Sequence, residues 1–474
     1  MKKIYTLTGL LVAGAVLFTV SCSKKSSSGV PEMTVVKVNS WMTTPDKSQL
    51  LTQQPVVQFS NGLGSGTEMI TVDESQTYQT IDGFGYCLTD NSAIMLDTLT
   101  GATQDSLLRE LFLPNGNGIG VSYLRLPIGA AGLSTHSYTF DDLASGTDYP
   151  LAHFSLQPDM QYVIPLLKKI IAINPNLTII ATPWSPPAWM KTNNSLIGGN
   201  LDTAAYASYA NYFVKYIQAM EALGIHITAV TPQNEPNNTA HDPSMGFPAS
   251  DEAAFIGNNL GPAFKAAGLT TKIICFDHNP STPQYPDTVL SNSKASAYID
   301  GTAFHLYEGN VTTLSQIHDA FANKNIYFTE QYTSSTRTFA DLLQNYTKNI
   351  IIGTTRNWSK NVIEWNIAAD PNLGPKQADA CPDCLPAVTI APAITRNVAY
   401  YLIGHAAKFV RPGAVRISSN IAGDIQNVAF KNTDGSKVLL VVNTGSAQES
   451  FDLVWQGKFL TYTMPAGAVA TLKW

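Results

Sequence analysis

The chain has 474 residues, enough for a large core and more than one domain. Charged residues make up 14%, aromatics 10%, and the formal net charge is −6 with no basic stripe, which excludes nucleic acid as a partner. Many aromatics with few charges suit neutral, partly apolar ligands such as sugars.

Lys2 and Lys3 precede the apolar run "IYTLTGLLVAGAVLFTV", which is short for a membrane span and has the order of an export signal. Cys22 follows small Ser21 and resembles the lipidated cysteine of bacterial lipoproteins, with Thr19 in place of the usual Leu. The expectation is a lipoprotein signal peptide over 1–21, a flexible tether over 22–31, and an exported protein lipid-anchored at a bacterial membrane, the outer one. From 32 to 80 apolar and polar residues alternate between turn signals such as "NGLGSG", which predicts strands.

From Ile81 the pattern repeats. Strand-like runs ("IDGFGYC", "VSYLRLP", "LTIIATPW", "HITAVTPQNE", "KIICFDH", "GTAFHLY", "NIYFTEQ", "NVIEWNI") alternate with helical spacings such as "AYASYANYFVKYIQAMEAL". Eight strands apolar on both faces, each followed by a helix, predict an α/β fold with a closed (β/α)8 barrel over 81–410. The alternative, an open doubly wound sheet, lacks a Gly-rich phosphate loop after any strand. Residues 411–474 read as short strands. With the strands before Ile81 they predict a side β-sandwich made from both chain ends.

Cys87 and Cys275 sit in apolar runs and read as buried thiols. Cys381 and Cys384 form "CPDC" without a nearby His, so a disulfide is expected rather than zinc.

Barrels of this kind place function at the carboxyl ends of their strands. Those ends supply Asp90, Arg125, Trp184, Asn234 with Glu235, His305 with Tyr307, Glu330, and Glu364 with Trp365 and Asn366. Strands four and seven stand across the barrel mouth, so Glu235 and Glu330 are expected to face each other. Two opposed carboxylates can split a glycosidic bond: one stays protonated for the leaving oxygen, the other attacks ionised. Trp184, Trp189 and Trp365 offer flat faces for sugar, while Asp90 and Asn234 offer hydrogen bonds to hydroxyls. His278 and His305 form no HxH pair, so neither a metal nor another cofactor is expected.

The motifs "GFGYCLTDNSA", "YLRLPIG", "ATPWSPPAWMKTN", "TPQNEP", "AFHLYEG", "YFTEQ", "EWNIAADPNLGP" and "YYLIGHAAKFVRPGAVRI" resemble glycoside hydrolase family 30, which includes glucosylceramidases and β-1,6-glucanases. The resemblance implies a retaining enzyme. In it Glu235 is the acid/base, Glu330 the nucleophile and Asn234 the partner of the sugar 2-hydroxyl. Asp90 and Trp184 contact the cleaved sugar, His305, Tyr307 and Trp365 line the pocket wall, and Arg125 supports the carboxylates from below. The implied substrate is a β-glucan, with a glycolipid as the other candidate. A surface glycan-binding lipoprotein on a dead barrel is the non-enzymatic alternative, and retention of both glutamates opposes it.

Overall fold

The structure, a computed structural model, describes residues 35–62 and 64–474. The signal peptide, Cys22 and the tether lie outside the described residues. No described helix is long and apolar enough to cross a membrane.

Eight parallel strands form the barrel: Gly83–Cys87, Tyr123–Pro127, Thr178–Thr182, Ala229–Val230, Lys272–His278, Ile299–His305, Asn325–Glu330 and Asn361–Asn366. Among the first seven, each pairs with the next in sequence, and the eighth pairs with the first. Every strand is buried almost throughout, as expected where helices cover the outside and side chains fill the inside. Tyr123, Ile180, Ala229, Ile274, Ala303, Tyr327 and Ile363, one from each of seven strands, pack together as an inner layer. The first strand contributes Gly85 beside Tyr123 and Ile363, and a Cβ there would lie 1.7 Å from the Tyr123 carbonyl oxygen. Only glycine fits that place.

Two local departures from the sequence reading have clear causes. The fourth strand keeps regular pairing only over Ala229–Val230, because Pro232 supplies no N–H and the chain turns to deliver Asn234 and Glu235. Between strands seven and eight a side chain replaces part of the ladder: the Phe328 N–H donates to Asn361 Oδ1 at 2.9 Å. Around it the Lys360 N–H donates to the Ile326 carbonyl and the Trp365 N–H to that of Gln331.

The second sheet joins both ends of the chain. Lys37–Thr43 lies antiparallel to Val469–Lys473, and Glu68–Thr80 pairs with both Val415–Ser419 and Glu449–Trp455. Val38, Ile70, Leu439, Val441, Phe451 and Leu453 lie in its core. The helix Val398–Ala407 is buried on every side, as a helix apolar all round should be. Its His405 reaches Thr471 at 2.9 Å and Thr43 at 2.8 Å, linking barrel and sheet.

Candidate active site

The chain leaving strand four is fixed by two backbone bonds: the Asn234 N–H donates to the Pro183 carbonyl at 2.8 Å and the Glu235 N–H to that of Asp277 at 3.0 Å. Glu235 adopts φ 45° and Asp277 φ 66°, left-handed conformations that cost a non-glycine residue about 1–3 kcal/mol. Both exceptions turn carboxylates toward one place. Glu330 ends strand seven, and with Glu235 it lines a cavity of about 790 Å³. Trp184, Asn234, His278, Tyr307 and Trp365 share that wall, as do Cys381 and Cys384, which form a disulfide.

A buried network sets the charges. Arg125, fully buried, donates to Glu330 Oε2 at 2.5 Å, to Asn234 Oδ1 at 2.7 Å and to Asp277 Oδ2 at 2.8 Å. Its guanidinium also lies 4.8 Å from the centre of the Trp184 ring. Tyr307 donates its hydroxyl to Glu330 Oε1 at 2.9 Å. His305 Nδ1 lies 2.9 Å from Glu235 Oε1 and 3.9 Å from Glu330 Oε1, while its Nε2 faces Asp277 Oδ1 at 3.2 Å. One imidazole nitrogen thus reaches both glutamates. That favours the spacing of about 5–5.5 Å found in retaining pairs over the wider gap that leaves room for water.

Burial raises Glu235, yet hydrogen bonds from His278 and His305 outweigh it and hold the carboxyl well below its ordinary range. Burial lowers His305, but Glu330, Asp277 and Glu235 together push it up to about 9. These balances favour a protonated His305 hydrogen-bonded to an ionised Glu235. Asp277 is also held low: burial opposes its charge, and Arg125 and His305 overcome that.

Four further placements differ from expectation. Trp189 is no sugar platform: its indole Nε1 donates to the Asp141 carbonyl at 3.0 Å and Tyr149 packs edge-on against its ring. Asp90 opens the helix Asp90–Asp97 and accepts from the Thr135 N–H at 3.3 Å, apart from the cavity wall. His305 is fully buried beneath the wall rather than in it. Glu364 is buried away from the cavity wall with neither oxygen hydrogen-bonded, and burial holds it well above the usual carboxylate range.

Asp277, the hub between Arg125, His305, Thr231 and Thr329, was missed from sequence, and so was Asn238, which donates to Glu235 Oε2 at 2.9 Å. The signal for Asp277 was its place at the end of "ICFDH". Missing an HxH pair did not keep the imidazoles apart: His278 Nδ1 also lies 3.5 Å from Glu235 Oε1. Glu235, His278 and His305 bring ligand atoms within 4.8 Å of one another, so a cation there would compete for the oxygen that must carry the proton.

The model of the glycosyl hydrolase family 30 TIM-barrel domain matches residues 81–410, and that of the family 30 β-sandwich domain matches 413–472. An endo-1,6-β-D-glucanase of Neurospora crassa is 34% identical over 85% of this chain and 89% of its own length. The lysosomal acid glucosylceramidase of Mus musculus is 29% identical over 82% of this chain and 79% of its own. A solved endo-β1,6-glucanase superposes with a TM-score of 0.87 at 35% identity, covering 92% of this chain and 99% of that one. With both domains matched and the paired carboxylates on one cavity, the chain belongs to glycosyl hydrolase family 30.

Proposed function

We propose that the protein hydrolyses β-1,6-linked glucan with retention at the anomeric carbon. The observation behind this reading is the pair Glu235 and Glu330 on one cavity, both within reach of the same His305 nitrogen. Glu330, held by Arg125 and by the Tyr307 hydroxyl, attacks the anomeric carbon and forms a glycosyl ester. The bond to the leaving oxygen breaks as that oxygen takes a proton from Glu235, which His305 supplies through Nδ1. Water then attacks the ester, gives its proton to Glu235, and frees Glu330. The substrate assignment leans on relatives named endo-1,6-β-glucanases, which are 34% identical, against 29% for the mouse glucosylceramidase.

Digestion of pustulan, laminarin, xylan, glucosylceramide and a nitrophenyl β-glucoside tests the reading. Pustulan should be cleaved fastest, and proton NMR should show the β anomer first. Preference for glucosylceramide would move the substrate to a glycolipid, an α anomer appearing first would mean inversion, and no turnover would leave a binding protein. The N-terminal pattern around Cys22 supports a lipid anchor on an exported enzyme. Cys22→Ser should release the protein from the membrane fraction, and retention of the variant there would refute anchoring at this residue.

A further inference from the structure

Between strand two, which ends at Pro127, and the short helical turn that begins at Gln157, the chain forms no helix or strand. So long an irregular segment is uncommon in a compact domain unless something organises it. It gives Gly132 and Leu133 to the wall of the catalytic cavity, and farther on it gathers Asp141, Asp148 and His153. Their ligand atoms lie within 4.8 Å of one another, as do those of Glu235, His278 and His305 at the catalytic centre.

Two observations set this group apart from a solvated acidic cluster. Asp141 and Asp148 are 1% and 6% exposed, and among the described residues no Lys or Arg pairs with either. Asp141 Oδ1 is buried without a hydrogen-bond partner, while its Oδ2 accepts from the Trp189 indole at 3.2 Å. A buried carboxylate oxygen without a donor is costly. Burial and the facing Asp148 carboxylate push Asp141 up to about 6, as two adjoining carboxylates should.

His153 provides the access. It is exposed, its backbone N–H donates to Asp148 Oδ2 at 2.7 Å, and its Nδ1 lies 2.9 Å from the same oxygen. Ligands about 2.0–2.2 Å from a zinc ion lie about 3–3.5 Å from one another, so this pair needs little movement. An imidazole with two carboxylates suits a divalent transition metal, whereas calcium and magnesium favour all-oxygen sites. We propose that Asp141, Asp148 and His153 bind one divalent transition-metal ion, with zinc the preferred one. Coordination requires a neutral imidazole and an ionised Asp141, so protons pass to water as the ion binds. Asp141 also holds Trp189 through its carbonyl at 3.0 Å, so the ion fastens the segment after strand two to the one after strand three. Its role is structural and lies apart from the reacting atoms.

Calorimetric titration of EDTA-treated, dialysed protein with zinc chloride tests the site. The wild type should bind zinc with a Kd of about a micromolar or tighter. Zinc at about a hundred times Kd should raise the melting temperature by roughly 2–5 °C. His153→Ala, a change at an exposed position, should weaken that binding by about tenfold or more and remove most of the shift. Asp141→Asn, which keeps the carbonyl that holds Trp189, should do the same. His278→Ala breaks the catalytic group instead and should leave this binding event in place. Calcium and magnesium should bind at least about tenfold more weakly. Absence of zinc binding, full zinc affinity in both His153→Ala and Asp141→Asn, its loss in His278→Ala alone, or calcium binding as tight as zinc would each overturn the proposal.

Discussion

His305 Nδ1 lies 2.9 Å from Glu235 Oε1, with the imidazole fully buried and its other nitrogen facing Asp277. A carboxyl and an imidazole so placed share one proton, and the pair titrates as a unit. On the proposed mechanism, the acid of the first step is Glu235 loaded through His305.

Exchanging each glutamate separates their roles. Glu330→Gln should lower kcat by about 10⁴-fold or more on every substrate, since an amide forms no glycosyl ester. Glu235→Gln should cripple glucan cleavage far more than that of activated aryl glucosides, whose leaving groups need no proton. Equal loss on both substrate types would contradict the assignment.

The pH profile reads the proton store. His305 is protonated below about 9, so kcat/KM should hold through neutral pH and fall above that value. In His305→Gln the proton must reside on Glu235 itself, and the basic limb should move to lower pH by about one unit or more. A limb that stays in place would exclude His305 as the store. The raised value also stabilises the fold, fully below the ordinary histidine value and progressively less as pH rises through 9.

Arg125→Lys tests the network beneath the cavity. A single ammonium cannot reproduce a planar fork serving Glu330, Asn234 and Asp277 at once. Breaking one arm of a buried ion pair costs about 3–5 kcal/mol, so both the melting temperature and kcat should fall. An unchanged melting temperature would show that the arm dispensed with was not structural.

Glu252 offers a stability test away from the cavity. Buried, it accepts from the Phe276 N–H at 3.1 Å and supports the left-handed Phe276 and Asp277; burial raises it to about 7. The folded state therefore holds a proton that the unfolded chain has released, and stability falls as pH rises from the ordinary glutamate value through 7. Glu252→Gln removes that penalty, of the order of 3 kcal/mol at pH 8, while keeping the acceptor. Thermal melts should show the variant stabilised at pH 8 and little changed at pH 4. A gain equal at both values would point to packing instead.

The barrel was legible because its period is redundant: apolar strand after helix, eight times over. The placement of Glu235 and Glu330 on one cavity was legible because polar residues ending buried strands stand out. Orientation was not legible. A strand-end His can face the cavity or lie beneath it, and His305 does the second. Phe276 and Asp277 reach left-handed backbone without a glycine to announce it, which hid the hub of the charge network in what read as strand interior. Trp189 was misjudged because proximity to Trp184 in sequence says nothing about where an indole N–H finds its acceptor.

The pairing of Lys37–Thr43 with Val469–Lys473 bears on how the chain is made. The first described strand must wait for the last one to be synthesised, while the whole barrel is built between them. Until Val469–Lys473 has left the ribosome, one edge of the early strand has no partner, and His405 lacks both Thr471 and a fixed Thr43. Loss of only the final few residues would therefore strand the beginning of the polypeptide, leaving an open edge prone to aggregate.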